Sequence, residues 1–104
     1  MKENKIHVLI TVPFLGKEHL DRIAAIDPRL EVTDALDELR AELGLMPSSL
    51  LRARSPEGAR LAPEEASARL DKMLAHTEVY FGWNLPRNVA ARAPHLRWIQ
   101  TIGV

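Results

Sequence analysis

Four short stretches of the chain are rich in apolar and β-branched residues, the composition that is typical of β-strands. Residues 6–12 are almost continuously apolar, which indicates a strand buried on both faces of a parallel sheet. Residues 30–33 alternate between apolar and polar side chains, as a half-buried strand does. Residues 78–81 and 96–102 are the third and fourth predicted strands.

After each of the first two predicted strands, apolar residues recur at the spacing of a helix. Residues 17–26 place Leu20, Ile23 and Ala24 on one face of a helix, with Ile26 beside them. The apolar stripe of the next predicted helix consists of Leu36, Leu39 and Leu43.

The ends of the second helix can be recognised from their residues. Asp34 is a suitable N-terminal cap, and Gly44 suits the carboxyl end, where a left-handed residue is common. We predict that the side chains of Arg40 and Glu42 point to solvent.

The middle of the chain, residues 45–62, shows no clear period. We predict a loop with room for one short helix or strand, because long structureless loops are unusual in compact domains. Pro63 suits the first position of a helix that ends near His76, and Pro86 is predicted to begin a short helix through Ala91. The apolar face of the helix after Pro63 comprises Ala66, Leu70, Met73 and Leu74.

Strands and helices alternate along the chain, and this order predicts a parallel sheet with helices on both faces. We predict an α/β, flavodoxin-like three-layer fold whose sheet has about four strands and is incomplete at its carboxyl end. In such sheets ligands bind at the carboxyl ends of the strands, beside the point where strand order reverses. Here the reversal would lie between the first and third strands, next to residues 13–16, 82–83 and 101–104.

Charge and composition exclude several classes of function. The chain has 14 basic and 14 acidic residues, and this balance argues against a dedicated nucleic-acid or anionic-membrane binder. It has no cysteine, which excludes disulfides and thiolate metal sites. Because no apolar run approaches the ~20 residues of a membrane span and the start does not resemble a signal peptide, we expect a cytoplasmic protein.

The closing stretch, residues 93–104, reads Ala-Pro-His-Leu-Arg-Trp-Ile-Gln-Thr-Ile-Gly-Val. It resembles the segment that closes the first part of the substrate domain in D-isomer-specific 2-hydroxyacid dehydrogenases. In that family an Ala-Pro-x-Leu-x-Trp/Leu-Ile-Gln run leads into a Gly-x-Gly-x-Asp turn, whose first glycine matches Gly103 and whose remainder would follow Val104. The resemblance implies that residues 1–104 are the amino-terminal part of a substrate-binding domain, without the nucleotide-binding domain.

The resemblance also implies a substrate-binding site. In the family, backbone amides around the glycine turn hold the substrate carboxylate, and this role carries over to Ile102, Gly103 and Val104. Gly82 and Trp83 match the family's loop after the third strand, near the substrate. The competing interpretation is that Trp83 is a packing aromatic and Gly82 a plain turn residue.

The reaction implied by the resemblance is hydride exchange between NAD or NADP and a small 2-hydroxy or 2-oxo acid. The chain contains no Gly-x-Gly-x-x-Gly nucleotide loop, and the family's catalytic arginine, glutamate and histidine lie in the nucleotide domain. We therefore expect no catalytic residue, bound cofactor or metal in this chain, and no activity by the chain alone. Its expected partners are the substrate acid and the missing remainder of the enzyme.

Other residues that could carry chemistry have simpler interpretations. The four histidines show no metal-ligand or triad spacing, so we interpret His7 as a strand residue and the others as surface residues. The arginines between residues 52 and 60 could bind an anion, but a solvated loop is the simpler interpretation. Phe14 and Leu15 follow the first strand, where they either line the site or pack in the core.

Other classes of α/β protein fit the sequence less well. A receiver domain needs clustered acids near the end of its first strand, and a flavodoxin needs a hydroxyl-rich phosphate loop; residues 11–17 provide neither. A stand-alone flavodoxin-like interaction or oligomerisation module without catalysis is the alternative. Since in the dehydrogenase family a later strand and helix complete this domain, we expect an exposed apolar edge or face, and hence a homodimer or poor solubility.

Overall fold

The computed structural model describes residues 5–12, 15–45 and 56–101. Their secondary structure alternates between strands and helices in the predicted order. The elements are β1 (Ile6–Thr11), α1 (Lys17–Ile26), β2 (Leu30–Asp34), α2 (Leu36–Leu43), α3 (Pro56–Ala59), α4 (Pro63–Leu74), β3 (Val79–Gly82), α5 (Val89–Arg92) and β4 (Trp98–Thr101).

The four strands form one parallel sheet in the order β2-β1-β3-β4. Strand β1 is therefore central, and the chain passes from β2 on one side of it to β3 on the other. This arrangement confirms the α/β prediction, with a sheet of four strands and a reversal of strand order between β1 and β3.

Helices cover both faces of the sheet. Successive residues of a strand point to opposite sides, so β1 contributes apolar side chains to the core on each face. Leu9 packs with Leu70 and Leu74 of α4 on one face. Val8 and Ile10 belong to a second core cluster on the other face, and the α1 residues that pack against it are Leu20 and Ile23. Burial on both faces explains why β1 is almost continuously apolar.

Helix α1 begins and ends where the sequence predicts, but Ile26 does not pack with its apolar face. The Ile26 side chain is 78% exposed. A helix turns about 100° per residue, so Ile26 lies roughly 120° around the axis from Leu20. It therefore points away from the sheet at the last turn of the helix.

The prediction that Arg40 and Glu42 point to solvent is wrong. Arg40 is 6% exposed and Glu42 is 5% exposed. Helix α2 is in contact with α4 and α3 as well as with β1, so neighbours cover much more than its leucine stripe. Arg40 donates hydrogen bonds to the carbonyl oxygens of Leu45 at 3.4 Å and Gly58 at 2.8 Å.

The carboxyl end of α2 agrees with its prediction, whereas the N-terminal cap position is Ala35 and not Asp34, which is the last residue of β2. Asp34 lies one residue before the cap position, and its carboxylate accepts a hydrogen bond from the Leu36 amide at 3.1 Å. Gly44 ends the helix in the left-handed conformation, with φ of 69°, which a residue without Cβ adopts at little cost.

Short elements account for the less regular parts of the chain. Helix α3 is the short helix for which the sequence left room, while residues 46–55 lie outside the described ranges. Helix α5 begins at Val89 and not at Pro86, because Asn88 adopts a left-handed conformation with φ of 53° immediately before it. None of the helices in the described ranges is long and apolar enough to cross a membrane.

Candidate functional site

Three neighbouring strands end at the same level on the carboxyl edge of the sheet. Thr11 of β1 is paired in register with Gly82 of β3, and Gly82 is paired with Thr101 of β4. These three paired residues lie beside the reversal of strand order, which is the position where parallel α/β sheets bind ligands. The structure thus brings the predicted Gly82–Trp83 segment next to the end of β1 and the end of β4.

Gly82 is buried, and its surroundings leave no room for a side chain. A Cβ atom at this position would overlap the hydroxyl of Thr11 and would lie 3.3 Å from Cε1 of Tyr80. The positive-φ glycine of the described residues is Gly44, so Gly82 is not required by a left-handed turn. The close approach of Thr11 is what requires glycine here.

A chain of hydroxyl groups lies directly behind Gly82. The hydroxyl of Tyr80 donates a hydrogen bond to the carbonyl oxygen of Asn84 at 2.7 Å. Since that proton is used, the 2.8 Å bond between Thr11 and Tyr80 must be donated by the Thr11 hydroxyl. The pair links the end of β1 to the loop that follows β3.

Burial shifts the ionisation of this tyrosine. Tyr80 is 0% exposed, and desolvation raises its pKa from 10.0 to about 12. The hydrogen bond from Thr11 acts in the opposite direction, and the nearby negative charge of Glu42 raises the pKa further. Tyr80 therefore stays neutral over the physiological range and holds the loop by hydrogen bonding.

A buried carboxylate holds the other end of the same loop. Glu42 of α2 accepts a hydrogen bond from the Arg87 amide at 3.1 Å and another from the Ser67 hydroxyl at 2.9 Å. Glu42 also forms an ion pair with Arg92 of α5, at 2.8 Å. The loop between β3 and α5 is thus attached to the scaffold at both Asn84 and Arg87.

The predicted site residues have different outcomes in the structure. Trp83 lies at the carboxyl edge with 37% of its surface exposed, which fits a packing aromatic as well as a residue of the substrate site. Leu15 packs against the cluster of β1 residues on the α1 face, which supports the core interpretation for that residue. Ile102–Val104, like Phe14, lie outside the described ranges.

The described part of this edge offers main-chain groups, the Thr101 hydroxyl, the Asn84 side-chain amide and the Trp83 indole. Residues 11–12, 82–84 and 101 include no acid, base or thiol side chain. Such a surface can bind and orient a small polar molecule, but proton transfer would need a group from elsewhere.

The histidines occupy the positions expected from the sequence. His7 lies on β1 and is partly buried, while His19, His76 and His95 are exposed. Among the described residues, no group of three or more His, Asp or Glu side chains could hold a metal ion. Three of the histidines nevertheless line one depression at the opposite, amino-terminal edge of the sheet.

Sequence reasoning missed four residues that support the site: Thr11, Tyr80, Glu42 and Arg92. Tyr80 could have been recognised as buried from the strand period of two, which places it on the face of β3 that packs into the core. No comparable signal exists for Glu42 and Arg92, because they are 50 positions apart in the chain and meet only when α2 and α5 pack.

The fold and this edge define a parallel α/β domain with a candidate binding site beside its reversal of strand order. Comparisons with protein-family models, with curated proteins and with solved structures find no match.

Proposed function

We propose that residues 1–104 form the amino-terminal part of the substrate-binding domain of an enzyme that resembles the D-2-hydroxyacid dehydrogenases. The parent enzyme would transfer a hydride between NAD or NADP and a small 2-hydroxy or 2-oxo acid. The proposal rests on the sequence of residues 93–104 and on the topology of the sheet, because the comparisons find no match.

The observation that carries the proposal is the register of Thr11, Gly82 and Thr101. It aligns the loop after β3 with the end of β4, from which the chain continues into the Ile102–Val104 segment of the resemblance. The two segments that would contact a substrate therefore leave the sheet from neighbouring strands at one edge. A substrate carboxylate would be held by backbone amides of the second segment, with Trp83 against the body of the acid.

Catalysis would require the remainder of the enzyme. The proposed catalytic arginine, glutamate and histidine, and the site for NAD or NADP, belong to the nucleotide-binding domain, which residues 1–104 do not include. The chain alone would bind the acid weakly and would not transform it.

The expected affinity follows from the number of available contacts. A hydrogen bond to a charged group contributes roughly 1.5–3 kcal/mol net. Two such bonds barely reach the ~4 kcal/mol of a millimolar complex, before any cost of ordering the binding residues is subtracted. We therefore expect millimolar or weaker binding of pyruvate or glyoxylate.

Amide chemical-shift mapping with pyruvate tests the proposal. We expect shifts at Gly82, Trp83 and Gly103, weakened by Trp83→Ala and unchanged by the matched control Trp98→Ala on the edge strand. Propionate, which lacks the 2-oxo group, separates specific binding from general carboxylate effects. Shifts at residues 52–60 with Gly82 and Gly103 silent would contradict the proposal.

A second candidate function, a non-catalytic interaction or oligomerisation module, is favoured by the exposure of β4. All four residues of β4 are exposed, including Trp98 at 61% and Ile99 at 41%. This strand lies at the edge of the described sheet, and exposed apolar edges recruit other chains. The occupant we propose is a second copy of the chain, paired along β4.

A further inference from the structure

A depression of about 490 Å³ lies at the amino-terminal edge of the sheet, opposite the candidate substrate site. Its volume falls within the range of roughly 300–1,000 Å³ that is usual for small-molecule sites. The lining residues are His7, His76, Glu78, Pro94, His95, Leu96 and Arg97.

The fold holds this lining in place through main-chain hydrogen bonds between strands. The Glu78 amide donates to the His7 carbonyl at 3.0 Å, which joins the starts of β3 and β1. The Glu78 carbonyl in turn accepts hydrogen bonds from the Arg97 amide at 2.8 Å and the Trp98 amide at 3.1 Å. The backbone below the depression is therefore part of the sheet and not of a free loop.

Two of the imidazole rings are close neighbours. The ring centroids of His7 and His76 lie 5.8 Å apart, with their planes inclined by 40°. Nδ1 of His7 also lies 3.3 Å from a carboxylate oxygen of Glu31 on β2. Protonation of both rings would place two positive charges at this short separation, so an anion between or above them would relieve their repulsion.

The charge of the depression depends on these histidines. Among the described residues, the other charged groups at this edge are Glu31, Glu78, Arg97, Lys5, which precedes β1, and the Asp27–Arg29 ion pair, which precedes β2. These three acids and three bases balance one another when the imidazoles are neutral. Protonation of the three imidazoles would add up to three positive charges in one small space.

We propose that the depression binds a small oxyanion and that protonation of His7, His76 and His95 strengthens this binding. Imidazolium and guanidinium groups donate hydrogen bonds to sulfate, phosphate or carboxylate oxygens. A metal ion is the less suitable ligand, since the described His, Asp and Glu side chains form no group that could hold one. Binding and protonation favour each other reciprocally, so the bound anion also raises the pKa of the histidines that contact it.

Sulfate is a suitable probe because its charge is constant between pH 5.5 and pH 7.5. We expect sulfate to bind at least about tenfold more tightly at pH 5.5 than at pH 7.5, as judged by histidine and amide chemical shifts at matched ionic strength. On the unmodified chain, sulfate should raise the titration midpoints of His7, His76 and His95 and leave that of His19 unchanged. This readout does not depend on the folding of any variant.

Variants then assign the binding to the depression. H76Q and H95Q should each weaken sulfate binding at pH 5.5 by about fivefold or more, while the matched control H19Q, on α1, should not. Three results would overturn the proposal. They are equal binding at both pH values, similar shifts at all four histidines, and tight binding of Zn²⁺ at His7, His76 and His95 that excludes sulfate.

Discussion

Glu42 and Arg92 form a buried ion pair, with Oε1 of the carboxylate 2.8 Å from Nη1 of the guanidinium. Their side chains are 3% and 15% exposed. Arg92 also contacts Asp71 at 2.6 Å and donates to the Ser67 carbonyl at 3.1 Å. The pair joins α2 to α4 and α5, and it lies behind the loop that carries Trp83.

Removal of the Glu42 carboxylate should destabilise the chain strongly. Glu42→Ala leaves the partly buried Arg92 with only the exposed carboxylate of Asp71 as a charged partner, and breaking a buried pair in this way costs about 3–5 kcal/mol. We expect a loss of that size in the free energy of urea unfolding. The control is Asp21→Ala, which breaks the exposed Lys17–Asp21 pair and should have no resolvable effect. Equal effects of the two substitutions would show that the buried pair does not stabilise the fold.

Gly82→Ala should be destabilising because its Cβ would overlap the Thr11 hydroxyl. Overpacking of this kind costs about 1–3 kcal/mol. Gly16→Ala is the matched control, since a Cβ there would meet only His19, at 4.0 Å. In a double-mutant cycle, Thr11→Ala should reduce the cost of Gly82→Ala, as it removes the overlapping atom. Strictly additive effects would contradict this explanation.

The ionisation of Tyr80 can be followed directly because it is the only tyrosine in the sequence. Ultraviolet titration should give a midpoint of about 12 in the folded chain and about 10 in urea. Folding thus favours the neutral phenol, so this contribution to stability is complete below pH 10 and is lost as the pH rises through about 12.

Tyr80→Phe provides the control for the pH dependence. The variant should lose about 1–3 kcal/mol at neutral pH, because the Asn84 carbonyl and the Thr11 hydroxyl lose their partner. Its stability should also decline less than that of the parent between pH 10 and pH 12. A folded-state midpoint near 10, with the circular dichroism spectrum intact, would disprove the burial argument.

Sedimentation should detect self-association through β4. We expect the chain to dimerise and Trp98→Lys to weaken the dimer, because a charge on an edge strand opposes pairing with another edge. Ile26→Lys is the matched control, since Ile26 is more exposed but lies on α1. A stable monomer at high protein concentration would exclude both the dimer and the oligomerisation function.

The proposed function also predicts a negative result in solution. The purified chain should neither bind NADH nor reduce pyruvate or glyoxylate in its presence, since the nucleotide loop is absent from the sequence. Fluorescence titration and an absorbance assay at 340 nm would test this. Turnover above that of a blank preparation would show that the chain is more than part of a substrate domain.

Local patterns along the chain were sufficient to determine most of the fold. The continuous apolar run of β1 predicts a strand covered on both faces, and the bounds of α1 follow from its period of apolar residues. Gly44 and Pro63 mark helix ends because backbone conformation at these positions depends on the residue itself. The alternation of elements then restricts the sheet to a parallel arrangement, and the observed order agrees with it.

Only the tertiary structure decided which polar residues are buried and which edge positions meet. In the sequence, Arg40 and Glu42 lie outside the leucine stripe of α2, as solvent-facing residues do. Their burial depends on where α3 and α4 pack against α2 and on the ion pair of Glu42 with Arg92 of α5. The requirement for glycine at position 82 arises from Thr11, 71 positions earlier in the sequence, and the histidine-lined depression joins residues from β1 and two later segments. Such contacts depend on the packing of distant elements, and that packing leaves no periodic signal in the sequence.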